Sequence, residues 1–226
     1  MLLLLLIVCL MLIIFTVEIK AGSDYKPNLE TDGFILMDRP TADKVLEKLP
    51  EGYTFLDYRY TIEGCTLSTF HRDVTSSQYI FKTKHPVYTF ITYNYDGPAL
   101  SVCPGSHQTA PFLMNRPVII NSNSVLFNCD VVHAGSLNLD KKPRRAIQYK
   151  IAHRDDLEKL KHLDGIDKVK KGDCDKRNNP VLDTLYRKLS LTFSYIINHH
   201  LTPYLQNREN NFLCKLLGEE RCFYNK

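Results

Sequence analysis

A mainly β fold of jelly-roll type, flanked by an apolar N-terminal segment and a helical C-terminal extension, is what this 226-residue sequence predicts. Three observations carry that expectation. Between Tyr53 and Ile151 the chain breaks into short β-branched and aromatic runs separated by turn residues, the texture of a sandwich or barrel rather than of a parallel α/β sheet. Met1 to Val17 holds no charged side chain. Beyond Ala152 the apolar residues change to helical spacing, which marks a different kind of element.

Composition sets the outer limits. Hydrophobic residues at 44% and charged residues at 24% exclude a disordered or collagen-like chain, and the length suits one medium domain with attachments. The net charge of +4 comes from a basic surplus in residues 141–177. A solvated Lys-rich face is the ordinary form of such a stretch, and no specific nucleic-acid partner follows from it.

Three segments are expected: 1–22, 23–152 and 153–226. A helix over the first 17 residues spans about 25 Å, enough for a thin bilayer. No Lys or Arg precedes the run, and Glu18-Ile19-Lys20-Ala21 is a poor cleavage site, so for residues 1–22 a retained single-pass membrane anchor is favoured over a cleaved signal segment. Lys20 and Lys26 follow the run, which by the positive-inside rule favours a cytosolic body.

Lys26 to Asp32 reads as a polar linker and Gly33 to Met37 as a short strand. Asp43 to Leu49 places Val45, Leu46 and Leu49 at helical spacing before Pro50-Glu51-Gly52 stops it. Seven strands follow: Tyr53–Tyr60, Gln78–Lys82, Val87–Tyr95, Ala99–Cys103, Pro117–Ile120, Ser124–Cys129 and Arg145–Ile151. In the tail, Asp155 and Glu158 resemble a helix start and Gly165 a stop. Lys168 to Asn179 reads as charged and mobile. From Pro180 a longer helix carries Leu182, Leu185, Leu189, Phe193, Ile196 and Ile197 on one face, expected to point at the core.

Cys9 falls in the apolar segment, and the other six cysteines show no disulfide-framework spacing, so reduced thiols are expected. Cys103 with His107, and Cys129 with His133, form two C-x3-H pairs that offer a zinc site as one alternative.

The second alternative begins at His71-Arg72-Asp73. On an extended strand, positions i and i+2 share a face, so the imidazole and the carboxylate can grip one ion. His133 follows the Val125–Cys129 run, and Arg144 comes eleven residues later. Two His and one carboxylate leave open positions on a six-coordinate ion, the arrangement of non-haem iron(II) oxygenases. Arg144 then suits the far carboxylate of 2-oxoglutarate, which it can hold by a bidentate pair. A second H-R-D, His153-Arg154-Asp155, opens the tail. There Asp155 has a plainer role as a helix N-cap, and the histidines that follow it, His199 and His200, lie in an expected helix.

Together, His71-x-Asp73, Asp96-Gly97-Pro98 leading to Pro104-Gly105-Ser106-His107, and His133-x10-Arg144 followed by Arg145-Ala146 resemble the phytanoyl-CoA dioxygenase family of iron(II)/2-oxoglutarate-dependent oxygenases. Thr31-Asp32-Gly33-Phe34-Ile35-Leu36 before a helix is similar to the family's entry, so the resemblance covers about residues 30–152. It implies a double-stranded β-helix (jelly-roll/cupin-like) core, with iron ligands at His71, Asp73 and His133. Arg144 becomes the co-substrate anchor, ahead of Arg145 because neighbouring strand residues face opposite ways. Pro104 to His107 becomes a turn beside the site, with His107 structural. The implied activity is hydroxylation of an unidentified small-molecule or lipid-like substrate, with conversion of 2-oxoglutarate to succinate and carbon dioxide and ascorbate as reductant. Asp73 sets the chain apart from the family's halogenases, in which a small residue makes room for chloride. A membrane-tethered jelly-roll module with an inactive triad stands beside that reading.

Overall fold

A computed structural model describes residues 17–22, 24–65, 68–94, 97–108, 116–137, 143–174, 180–194 and 196–197. The apolar run expected to enter a membrane lies almost wholly outside them. Among the described residues no helix is long and apolar enough to cross a membrane.

The body is mainly β, built from two mixed sheets in a jelly-roll/cupin-like arrangement. Its strands are β1 (Ile19–Lys20), β2 (Phe34–Met37), β3 (Tyr53–Gly64), β4 (Tyr88–Tyr93), β5 (Leu100–Val102), β6 (Val118–Ile120), β7 (Ser124–Asn128), β8 (His133–Gly135), β9 (Arg144–His153) and β10 (Ile166–Gly172). The smaller sheet runs β1-β6-β5-β8 and the larger β10-β3-β9-β4-β7-β2. Two edge pairings, β1 with β6 and β10 with β3, are parallel; the rest are antiparallel. The main core joins the two sheets, with Ile91, Val125 and Phe127 of the larger meeting Leu100, Val102 and Ile120 of the smaller. Each is at most 2% exposed, and burying such side chains stabilises by about 1.5–3 kcal/mol apiece.

Among the described residues three α-helices accompany the sheets: α1 (Ala42–Leu46), α2 (Gln78–Phe81) and α3 (Pro180–Thr192). Helix α1 falls at the expected place, is capped by the Thr41 hydroxyl accepting the Lys44 N–H, and buries Val45. Helix α2 replaces an expected strand. The Asp130 carboxylate accepts the Gln78 N–H at 2.9 Å and the Ser77 hydroxyl, satisfying donors at the helix start from a distant part of the chain.

The tail departs from expectation in four ways. Residues 154–163 form a 3-10 helix capped by His153, whose ring accepts the Asp155 N–H, so Asp155 is not the cap. Of the stretch from Lys168 to Asn179 expected to be mobile, the part up to Gly172 belongs to an edge strand, Ile166–Gly172, and residues 175–179 lie outside the described residues; charge on an edge is how sheets discourage further pairing. Helix α3 is turned away from its apolar stripe, with Leu182 and Leu185 exposed and Arg187, Ser190 and Leu191 buried. The buried guanidinium sets that rotation: Arg187 bonds the Glu18 carboxylate, the carbonyls of Ser68 (2.8 Å) and Gly135 (2.6 Å), and the Ser101 hydroxyl (2.9 Å). Finally, Cys65 and Cys174 form a disulfide, joining the end of β3 to the segment after β10 and overturning the expectation of reduced thiols for this pair. Cys103 and Cys129 are free and buried.

Candidate metal centre

His71 and His133 sit on neighbouring backbones that exchange two hydrogen bonds of 2.9 Å, an isolated bridge beside β8 on the smaller sheet. Asp73 is placed by its own N–H, which donates to the Cys129 carbonyl at 2.8 Å. The result brings one donor atom from each of His71, Asp73 and His133 within 4.8 Å of the others. Asp73 Oδ1 lies 3.6 Å from His133 Nε2 and 3.9 Å from His71 Nε2.

The proton inventory shows what this geometry lacks. The Nδ1 atoms of His71 and His133 lie 2.7 Å from the Thr69 carbonyl and 2.9 Å from the Val131 carbonyl. A carbonyl only accepts, so each Nδ1 carries the proton and each Nε2 presents a lone pair. Those lone pairs and a carboxylate oxygen converge with no donor among them, and the buried His133 Nε2 has no hydrogen-bond partner. A cation satisfies all three at once.

Electrostatics agree. Burial pushes the His133 imidazole down to about 4, more than offsetting the pull of Asp73, so the ring is neutral and able to ligate at neutral pH. Burial of Asp73 favours the acid, but the charge of Lys150, its hydrogen bond, and the His133 and His71 rings as they protonate in acid outweigh it and hold the carboxyl well below its usual range.

Lys150 is the residue that local sequence reasoning missed. Its ammonium lies 2.6 Å from Asp73 Oδ2 and 2.8 Å from the Thr89 hydroxyl, which itself donates to the same carboxylate oxygen at 2.5 Å. Oδ2 is therefore saturated from the core side while Oδ1 turns to the histidines. The available signal was strand alternation, since Arg144, Ala146, Gln148 and Lys150 all fall on one face of β9.

That face lines a cavity of about 440 Å³, which also holds His71, Asp73 and His133. Arg144 enters it and donates to the Ser136 carbonyl at 2.6 Å, whereas Arg145 points outward to Glu63 at 3.1 Å. Tyr60, Ile62 and Tyr93 give the cavity its apolar and aromatic wall, and Ser190 and Ile197 bring the tail to it. The Pro104–His107 turn lies nearby, its Ser106 carbonyl accepting from the Arg72 guanidinium at 2.6 Å. Asp96 falls outside the described residues, as do His199 and His200.

The zinc alternative does not assemble. Among the described residues no metal-type cluster includes Cys103, His107 or Cys129. Cys103 packs with Phe70, Val132 and Leu191, the Cys129 thiol rests against Ser76 at 3.0 Å and Thr89 at 3.3 Å, and His107 faces the Glu30 carbonyl at 3.1 Å.

No protein-family model and no curated protein matches the chain. Similar solved structures include EvdMO1, at 14% identity over 56% of this chain and 48% of that one, with a TM-score of 0.39. The non-heme monooxygenase ThoJ matches at 12% identity over 50% of this chain and 51% of its own, with a TM-score of 0.38. The iron and alpha-ketoglutarate-dependent endoperoxidase NvfI matches at 11% identity over 55% and 79%, with a TM-score of 0.37. The chain thus spans about half the length of EvdMO1 and ThoJ, and likenesses this slight carry no argument.

Proposed function

We propose that the protein is an iron(II)/2-oxoglutarate-dependent dioxygenase that hydroxylates a small-molecule or lipid-like substrate. The observation that carries this reading is the convergence of three acceptor atoms, from His71, Asp73 and His133, in a cavity that also contains Arg144. Their donor set fits iron(II), which two imidazoles and a carboxylate hold while leaving positions open. Bound there, iron would supply dioxygen activation coupled to oxidation of 2-oxoglutarate to succinate and carbon dioxide, with ascorbate as reductant.

The chain's own residues do the rest. With Asp73 already balanced by Lys150, Arg72, Arg144 and Lys170 leave the cavity's charged lining net positive, which suits a dianionic co-substrate; the Arg144 guanidinium holds the far carboxylate. Backbone carbonyls fix both imidazole orientations, and the Tyr60, Ile62 and Tyr93 wall keeps water from the reacting atoms and receives an apolar substrate. A carboxylate at position 73 favours hydroxylation over halogenation. The Cys65–Cys174 disulfide supports a body in an oxidising compartment rather than the cytosol, with residues 1–22 as its membrane tether.

Anaerobic titration with iron(II) and 2-oxoglutarate tests the reading. A visible charge-transfer band at one equivalent, followed by succinate production on admitting air, is the expected result. A second reading, a catalytically inactive tethered module, is favoured by the Lys150–Asp73 pair, which satisfies the carboxylate without a metal. It is sustained by absence of the band and of uncoupled succinate across a broad substrate panel.

A further inference from the structure

The second His-x-Asp of the chain meets a third donor in space. Strand β9 ends at His153 and the 3-10 helix begins at once, while the loop entering β4 runs alongside. In that loop the N–H groups of Lys84 and His85 donate to the Asp156 carboxylate at 2.6 and 2.8 Å. Asp156 is 1% exposed, so the backbone carrying His85 is pinned to the helix start. The His85 and His153 rings lie 3.9 Å apart between centroids, tilted by 34°. Asp155 Oδ2 lies 3.5 Å from His85 Nε2 and 3.7 Å from His153 Nδ1.

These separations exceed hydrogen-bond lengths. They are close to the spacing of neighbouring ligands around a tetrahedral zinc ion, about 3.3–3.6 Å for bonds of about 2.0–2.2 Å. Proton placement points the same way. His153 Nδ1 accepts the Asp155 N–H at 3.2 Å, so the proton is on Nε2 and the Nδ1 lone pair lies on the Asp155 side, where a metal would take it in exchange for that long bond. His85 Nε2 is buried without a hydrogen-bond partner, a condition that buried polar atoms rarely keep. The Lys84 ammonium, 3.0 Å from Asp155 Oδ2, is the present counter-charge; its side chain is 69% exposed and can swing into solvent when a metal takes that place.

We infer that His85, His153 and Asp155 form a second metal site, for zinc(II), with its fourth position open to water. Asp155 is nearly half exposed, so the ion enters from solvent. The site is distinct from the His71, Asp73 and His133 centre and does not depend on the function proposed for it. By joining the loop before β4 to the end of β9, zinc would brace the two strands that carry Thr89 and Lys150, the residues holding Asp73 Oδ2.

The test uses the full chain without an affinity tag, in a His71→Ala background, which takes a ligand from the first centre while keeping the buried Lys150–Asp73 pair. Zinc titration against a chromophoric chelator should give one equivalent, and cobalt(II) in its place should show the visible bands of tetrahedral N/O coordination. Because His153→Ala also removes a helix cap, His85→Gln and Asp155→Asn carry the comparison, with circular dichroism verifying the fold. Each should weaken zinc binding by about 10–100-fold or more and abolish the zinc-induced rise in Tm. No bound equivalent in the background variant, or zinc affinity unchanged in both substitutions, would overturn the site.

Discussion

The ammonium of Lys150 lies 2.6 Å from the Asp73 carboxylate, the carboxylate whose other oxygen faces His71 and His133. Both partners are buried, so their charges balance in a medium where neither stands comfortably alone. Any metal bound here shares Asp73 with a lysine. Lys150→Met should therefore cost the metal-free protein about 3–5 kcal/mol, the usual consequence of stripping one member from a buried pair. It should also strengthen divalent-metal binding, because the metal becomes the carboxylate's sole counter-ion. Denaturation with and without added iron(II) checks both: the metal should stabilise the variant more than the parent.

His71→Ala and Asp73→Ala should each abolish iron-dependent succinate formation. His71 is the cleaner case, since its side chain is 42% exposed and its loss leaves the core intact. Circular dichroism should show an unchanged β signal for His71→Ala.

Arg144→Ala should raise the KM for 2-oxoglutarate by roughly 10–150-fold, corresponding to about 1.5–3 kcal/mol for a lost charged hydrogen-bonding partner. Arg145→Ala should leave it unchanged, because that side chain pairs with Glu63 on the outer face. Steady-state kinetics on the two variants separates the faces of β9.

Reducing the Cys65–Cys174 bond, or replacing both residues with Ala, should lower stability by about 2–5 kcal/mol, as expected for a crosslink closing a long loop. Burial pushes the Cys129 thiol up to about 11 and raises Cys103 as well. Alkylation of the native protein near neutral pH should accordingly spare all four residues. Denaturant should expose Cys103 and Cys129, and reductant is needed to label Cys65 and Cys174, as peptide mass spectrometry can follow.

Asp156 titrates below its usual range: burial opposes ionisation, but the N–H groups of Lys84 and His85 outweigh it. Its contribution is full above the unfolded carboxyl value of about 3.9 and is lost as pH falls through the lower folded value. Asp156→Asn should cost about 1–3 kcal/mol near pH 7. The gap from the parent protein should close progressively below about pH 4, measurable by urea denaturation at a series of pH values.

Much of the β body was legible because alternation and turn residues report half-buried strands directly, as in Val87–Tyr95 against the observed Tyr88–Tyr93. Helix α2 was not: Gln78–Phe81 is too short for any helical period, and donors at its start are satisfied by Asp130, far along the chain. Strand β10 was hidden by its own lysines, which suit an edge but mimic a linker. The candidate triad could be read from H-x-D and a later His, yet Lys150 has no local signature beyond its side of a strand. Arg187 was invisible for the same reason: what turns α3 is a contact with Glu18, 169 residues away.

The bond between Cys65 and Cys174, 109 positions apart, closes the chain between them into a covalent ring, and His71, Asp73, His133, Arg144 and Lys150 all belong to it. A single backbone cut anywhere inside that ring releases no fragment. Singly nicked molecules would still migrate as one species until a reductant opens the ring, and a protease could cut one loop beside the centre without scattering the residues that compose it.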